Sequence, residues 1–437
     1  MECNSKISLC IKTWERKRNF AEWQTISDEE DEMFEYLKKF KQNFPERKFF
    51  QLIDKIYDRD NLEISWKKVK SNKGCAGIDE QSIYDFWLHK DMYFGEIERG
   101  LRNGSYKPSP VLRRYIPKDN GKQRPLGIPT VKDRVVQQAA KNVLETIFEL
   151  KFKDCSFGFR PERNAHQAIF QIIEYLEQGY TWIIDADIKT FFDKVDHDLL
   201  IKFVAKEVSD GKVLKLLEDW LKAGVLTENK IETTKEGTPQ GGVISPLLAN
   251  IYLHEIDDVI TANQHVRLVR YADDFVIMCK TKEMTEEVMK VLRNIMTQLK
   301  LDLSEEKTKV VNAEEETFEF LGFIFSFTSP NVILKPRGKS LKKFKDKIKS
   351  MTSRKIPIKP NEMIGRLNRV IRGWGNYFKI GHVKAIYKEL DVWLRMRCRM
   401  FIEKKKSRYS HIRIPNHILQ SEYKLVSLIT LTKPRSL

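Results

Sequence analysis

At 437 residues and 41% hydrophobic content, the chain is long enough for two or three domains with real cores. No apolar run approaches the ~18 residues that span a bilayer, the first apolar stretch is too short and interrupted for a secretory signal, and six cysteines without a CxxC pair argue for reduced thiols in a cytoplasmic compartment and against a zinc site. A net charge of +17 and a pI of about 9.3 favour a polyanionic partner, nucleic acid before a membrane surface, because no basic amphipathic anchor accompanies a lipidation signal.

Residues 1–48 alternate basic and acidic blocks, such as Trp14-Glu15-Arg16-Lys17-Arg18 and Asp28-Glu29-Glu30-Asp31-Glu32, and read as a partly helical extension. From 49 to 330, helical and strand patterns interleave. Residues 116–125 read as strand, turn and strand, with Asn120-Gly121 as the hairpin signal. The spacing of Val135, Ala139, Val143 and Ile147 predicts a helix over 131–148, and 165–176 reads the same way. Residues 182–188 form an apolar run ending in acids, which predicts a buried strand. Glycine and proline crowd 236–246 ahead of a helical run, and glycines let backbone approach a ligand closely. Two Val-, Ile- and Tyr-rich runs flank Asp273-Asp274, which places both acids at a hairpin tip. Residues 335–413 carry about five basic residues for each acidic one, a bias toward polyanion binding. Near the C-terminal end, 424–429 reads as a strand. No internal repeat or low-complexity tract is present.

Adjacent carboxylates repel, and partial burial raises the cost. An isolated Asp-Asp is an ordinary exposed turn. If the strand ending at Asp187 neighbours the 273–274 hairpin, however, three carboxylates converge, and such a cluster needs cations. Hard oxygen ligands suit Mg²⁺, which takes further ligands from substrate phosphates. A pair of ions about 4 Å apart would activate an attacking 3′-hydroxyl and stabilise the leaving pyrophosphate.

Tyr271-Ala272-Asp273-Asp274 resembles the catalytic hairpin of reverse transcriptases. Four further segments, in order, resemble the group II intron-encoded class: Arg124-Pro125-Leu126-Gly127-Ile128-Pro129, Ser156-Phe157-Gly158-Phe159-Arg160-Pro161, Asp185-Ala186-Asp187-Ile188-Lys189-Thr190-Phe191-Phe192-Asp193 and Gly237-Thr238-Pro239-Gln240-Gly241-Gly242. Phe320-Leu321-Gly322-Phe323 adds to them, and Ile371-Arg372-Gly373-Trp374-Gly375-Asn376-Tyr377-Phe378 resembles the maturase segment of that family.

The resemblance implies an α+β right-hand polymerase, with an antiparallel palm sheet plus helices and then an α-helical thumb. The expected boundaries are 1–48 for the extension, 49–330 for fingers and palm, 331–410 for the thumb or maturase domain, and 411–437 for a short tail. It implies RNA-directed DNA synthesis with two Mg²⁺ ions, an RNA template (structured intron RNA), a DNA or RNA primer, and dNTPs. Asp187, Asp273 and Asp274 would be the catalytic, metal-binding acids, joined by the Ile188 carbonyl; spacing alone does not choose Asp187 over Asp185. Lys118 and Arg124 would neutralise the triphosphate. Gln240 and Gly241 would meet the nucleotide, Ala272 would give room under the primer end, and Phe191 or Phe192 would exclude a ribose 2′-hydroxyl, with Phe191 preferred. Arg160, Lys342, Lys345, Lys349, Arg366, Arg369 and Arg372 would bind nucleic acid. Trp374 and Phe378, four apart, read as helix-on-helix packing.

With no paired His/Cys metal pattern after the maturase segment, an endonuclease-lacking type is expected. Two alternatives stay open: a maturase with a vestigial polymerase site, and a relative serving phage defence, CRISPR spacer acquisition or DNA repair. Oligomeric state is not legible.

Overall fold

The computed structural model describes residues 39, 41–44, 46–117, 123–227, 230–232, 236–237, 241–405 and 409–432. The acidic and basic blocks of 1–38, the Asn120-Gly121 turn, Lys118 and Gln240 lie outside the described residues. The strands are β1 (Val111–Pro117), β2 (Gln123–Ile128), β3 (Trp182–Asp187), β4 (Val225–Thr227), β5 (Lys230–Glu232), β6 (Arg267–Tyr271), β7 (Asp274–Cys279), β8 (Lys309–Asn312), β9 (Phe318–Phe320), β10 (Phe323–Thr328) and β11 (Asn331–Pro336). With the helices between and after them, the chain is α+β, as expected. No helix among the described residues is long and apolar enough to cross a membrane.

The chain forms two compact units, each assembled from three stretches. The first draws on 1–164, 186–275 and 286–308, the second on 165–185, 276–285 and 309–437.

In the first unit, the helix Val131–Glu149 is the centre of the core. Thr130 caps it by accepting from the Asp133 N–H at 3.0 Å. The four positions read from the sequence are buried, and so are Val136, Ala140 and Leu144 beside them. The helix Arg59–Ser71 packs against it, and there Asn142 donates to Asn61 and Ser65. A helix buried all round keeps its polar groups only by pairing them. Asp210 joins two other helix starts: one oxygen accepts from the Leu52 and Ile53 N–H groups, the other from Lys212 and Val213. Beside this core lies a sheet in the order β2–β1–β4–β5, with β1 and β2 antiparallel and Ile116 opposite Arg124. The β6 strand, the first two residues of β7 and the last two of β3 lie in one sheet, in that order.

In the second unit, the earlier part of β3 pairs antiparallel with β8, Trp182 opposite Asn312. A second sheet runs β11–β10–β9. The turn between β9 and β10 has Leu321 and Gly322 at φ 47° and 83°, the two left-handed positions of a type I′ hairpin. Three helices follow, Gly338–Met351, Pro360–Phe378 and Lys384–Ile402. Trp374 packs on Phe344, Phe378 and Tyr387 with ring centroids 4.5, 4.8 and 5.8 Å apart, so the 374/378 pair is helix packing.

The strand expected at 424–429 does not form. That stretch is irregular and leads into a 3₁₀ turn, Ile429–Thr432. Its backbone donors are taken by side chains instead of a sheet: Asn368 accepts from Val426, and Asp391 accepts from Leu428 and Ile429. Leu425 and Leu428 are buried without a strand partner. An apolar run signals burial, and burial does not require a ladder.

Candidate active site

The acids sit where two backbone devices meet. At the end of β3, the Lys189 N–H donates to Asp302 O and the Ser304 N–H donates to Asp187 O, both at 2.8 Å, with a bridge between Ile188 and Leu303. These bonds strap Asp187 and Ile188 to the 302–304 segment. Thr190 then turns at φ 47° and starts the short helix Phe191–Lys194.

The second device is the β6–β7 hairpin. Its two-residue loop is Ala272-Asp273. Ala272 lies at φ 60° and Asp273 is not in the left-handed region, the pattern of a II′ turn, whose first position is usually glycine. A non-glycine residue there stores of order 1–3 kcal/mol of strain and needs outside support. Gly158 supplies part of it: a Cβ at 158 would stand 2.3 Å from the Ala272 nitrogen, so only glycine lets that backbone lie under the turn. Phe157 N–H donates to Arg270 O, and Arg270 N–H to Cys155 O, each at 2.8 Å.

Arg270 supplies the rest. It is fully buried. Its guanidinium donates to both oxygens of the equally buried Asp257, at 2.7 and 2.5 Å, to Asn250 Oδ1 at 2.9 Å and to Ala272 O at 3.1 Å. Asn250 in turn donates to Gly158 O at 2.8 Å. Arg270, Asp257, Asn250 and Gly158 thus form one closed support around the turn. Sequence reading missed all four as a group. The available signal was a charged residue inside an apolar strand, and Asn250 and Asp257 seven apart on one helix face.

Burial pushes the Asp273 carboxyl above the ordinary aspartate range, and the charge of Asp187 adds to the rise, while Arg124 and Lys307 oppose it. Asp187 and Asp273 therefore act on each other directly, and Arg124 on β2 reaches the same field. Asp274 is exposed at the start of β7. Lys307 holds Asp187 by an ion pair at 2.7 Å. Among the described residues, no three His, Cys, Asp or Glu side chains are gathered as a preformed metal site. The donor chemistry still fits a hard divalent ion: carboxylate oxygens and a carbonyl, with like charges that need a counter-cation. Lys307 offsets part of that charge at Asp187.

Two of the expected site side chains, Phe191 and Arg160, are buried, whereas Gly241 is exposed. Phe191 is 2% exposed and packs against Tyr252 and Phe192. It has no surface to offer a sugar, whereas Phe192 is half-buried. Arg160 is a buried structural cation rather than a nucleic-acid contact: it forks onto Glu149 and donates to the carbonyls of Lys153 and Ser156. Gly241, at φ 113°, uses its freedom against β2, where a Cβ would meet Gly127 O at 2.6 Å. In the second unit, Lys342, Lys349, Arg366, Arg369 and Arg372 are exposed, and Lys345 is half-buried with an ion pair to Glu389.

Residues 116–325 match the family model described as reverse transcriptase (RNA-dependent DNA polymerase), and 341–417 match the maturase-specific domain of group II introns. The group II intron-encoded protein LtrA of Lactococcus lactis subsp. cremoris is 32% identical over 358 residues, 67% of this chain and 59% of that protein. Protein YkfC of Escherichia coli K12 is 38% identical over 263 residues, 52% of this chain and 68% of that one. Among solved structures, apo telomerase from Candida tropicalis aligns over 55% of this chain and 58% of that one, with a TM-score of 0.40 at 17% identity. The chain thus spans 59% of LtrA's length. With two family models matched in order and these relatives, the chain belongs to the group II intron-encoded reverse transcriptase/maturase family.

Proposed function

We propose that the chain is an RNA-directed DNA polymerase that extends a primer 3′-hydroxyl with dNTPs, and that it also binds intron RNA to assist splicing and retrohoming. The observation that carries the reading is geometric: β7 lies beside β3, so Asp273, on a strained turn braced from below, neighbours the strand that ends at Asp187. Asp187, Asp273, Asp274 and the Ile188 carbonyl would hold Mg²⁺, which would activate the hydroxyl and stabilise the leaving pyrophosphate. The chain's own part is positioning. Ala272 keeps the turn low beneath the primer end. Arg124, exposed on β2 and already felt at Asp273, would meet the triphosphate with Lys118. Gln240 and Phe192 would read the sugar. The basic helices of the second unit would carry RNA. By this reading fingers and palm run through 49–330, the thumb through 331–410, and the buried free thiols Cys155, Cys279 and Cys398 suit a cytoplasmic setting.

Primer extension on an RNA template, with Mg²⁺ and each dNTP or rNTP, tests this. DNA synthesis by the wild type, lost in Asp273→Asn with RNA binding retained, is the expected result. RNA binding without any extension by the wild type would leave a maturase alone.

A further inference from the structure

A cleft of about 620 Å³ opens in the second unit between the helices Gly338–Met351 and Pro360–Phe378. Its floor is apolar: Met351, Ile356, Ile358, Met363 and Val370. Its rim is cationic: Lys347, Arg366 and Arg369. The connecting loop is held from the third helix, where Arg397 donates to Thr352 Oγ1 at 2.9 Å and to its carbonyl at 3.2 Å, and Lys404 reaches Ile356 O at 3.3 Å. The walls are therefore built before any ligand arrives.

We propose that this cleft binds unpaired RNA, taking a base onto the floor and the flanking phosphates on the rim. The proposal rests on the reading that this unit binds RNA. Charge selects the occupant. Residues 338–372 hold 12 Lys or Arg against two acids, Asp346 and Glu362, and both acids are already paired, to Lys349 and Arg366. The volume lies within the ~300–1,000 Å³ of ordinary ligand pockets, room for a nucleotide but not for a duplex. Duplex RNA keeps its bases stacked and is read by shape, whereas unpaired bases turn outward against apolar or guanidinium surfaces. An apolar floor inside a basic rim fits the second kind of RNA.

The test uses the full chain, with anisotropy of a short oligouridylate and of a blunt RNA duplex of equal length. Ile358→Asp leaves the rim intact and puts a carboxylate on the floor. It should weaken oligouridylate at least ~10-fold and the duplex far less, since only unpaired bases reach the floor. Arg366→Gln with Arg369→Gln should flatten the salt dependence of oligouridylate binding by about 1.4, two phosphates at ~0.7 each. A measurement without variants guards against misfolding: 4-thiouridine in the oligonucleotide should photocrosslink to Met351 or Val370 of the wild type. Equal loss of duplex binding in Ile358→Asp, crosslinks confined elsewhere, or displacement only by an acidic apolar peptide would each overturn the proposal. All three read binding rather than synthesis, so an inactive polymerase would leave them unchanged, and crosslinks elsewhere would sink the cleft while RNA binding by the unit stood.

Discussion

Arg270 and Asp257, both fully buried, share two hydrogen bonds of 2.7 and 2.5 Å two residues before the acidic turn. Burial opposes both charges, yet each holds the other: Asp257 stays below the ordinary carboxylate range and Arg270 above the ordinary guanidinium range. Asp257→Leu should cost about 3–5 kcal/mol, because it strands a buried cation. Arg270→Met with Asp257→Leu should recover most of that in urea denaturation, since apolar replacement of a whole pair is often neutral. Single-turnover extension should be lost in the double variant even so, because Arg270→Met removes the bonds to Ala272 O and Asn250 that brace the turn. Full recovery of rate would make the pair a stabiliser only.

Phe191 and Phe192 are adjacent and differently placed. Phe191→Ala should cost about 3–5 kcal/mol as a core truncation, with dNTP-over-rNTP preference unchanged in whatever protein folds. Phe192→Val should keep stability within about 1.5 kcal/mol and relax that preference at least tenfold. Paired kcat/KM values for one dNTP and its rNTP decide. Relaxation by the Phe191 variant alone would return the gate to Phe191.

Much of this architecture is local, and local patterns were legible. The 131–148 periodicity, the hairpin around Asp273 and the 374/378 pair all rest on residues close together in the sequence. The turn's support is not local: Cys155, Asn250, Asp257 and Arg270 meet across a helix, a loop and a strand, and one sequence carries no record of pairing. Arg160 was misread for a related reason. Residue type reports charge, not whether a carboxylate such as Glu149 waits beside it. The 424–429 stretch shows the converse, an apolar pattern that fixed burial but not backbone form.

Lys307 is two-thirds exposed and bonded to Asp187, so it competes with an entering ion for that carboxylate. Lys307→Gln should lower the Mg²⁺ concentration at the midpoint of thermal stabilisation several-fold, because binding to the folded state raises stability through mass action. Asp273→Asn should show little stabilisation by Mg²⁺ at any concentration. A Lys307→Gln midpoint equal to or above that of the wild type would mean that Lys307 does not compete for the site.

Glu149 and Arg160 set the last expectation. Burial pushes the Glu149 carboxyl above its ordinary value of 4.5, against the hydrogen bond and charge of Arg160, which lower it. Arg160→Met removes both opposing influences, so the folded carboxyl rises further while the unfolded one does not. A carboxyl raised in the folded state loses stability as pH climbs from the unfolded value through the folded one. The variant's deficit against wild type should therefore be smallest near pH 4.5, where Glu149 can take a proton, and grow to about 3–5 kcal/mol at neutral pH. Denaturant melts across that range measure it. The salt slope of RNA binding should stay as in wild type, because a cation enclosed by Glu149 and two carbonyls meets no phosphate. A slope lower by a full phosphate contact, with a deficit independent of pH, would restore Arg160 to the nucleic-acid surface.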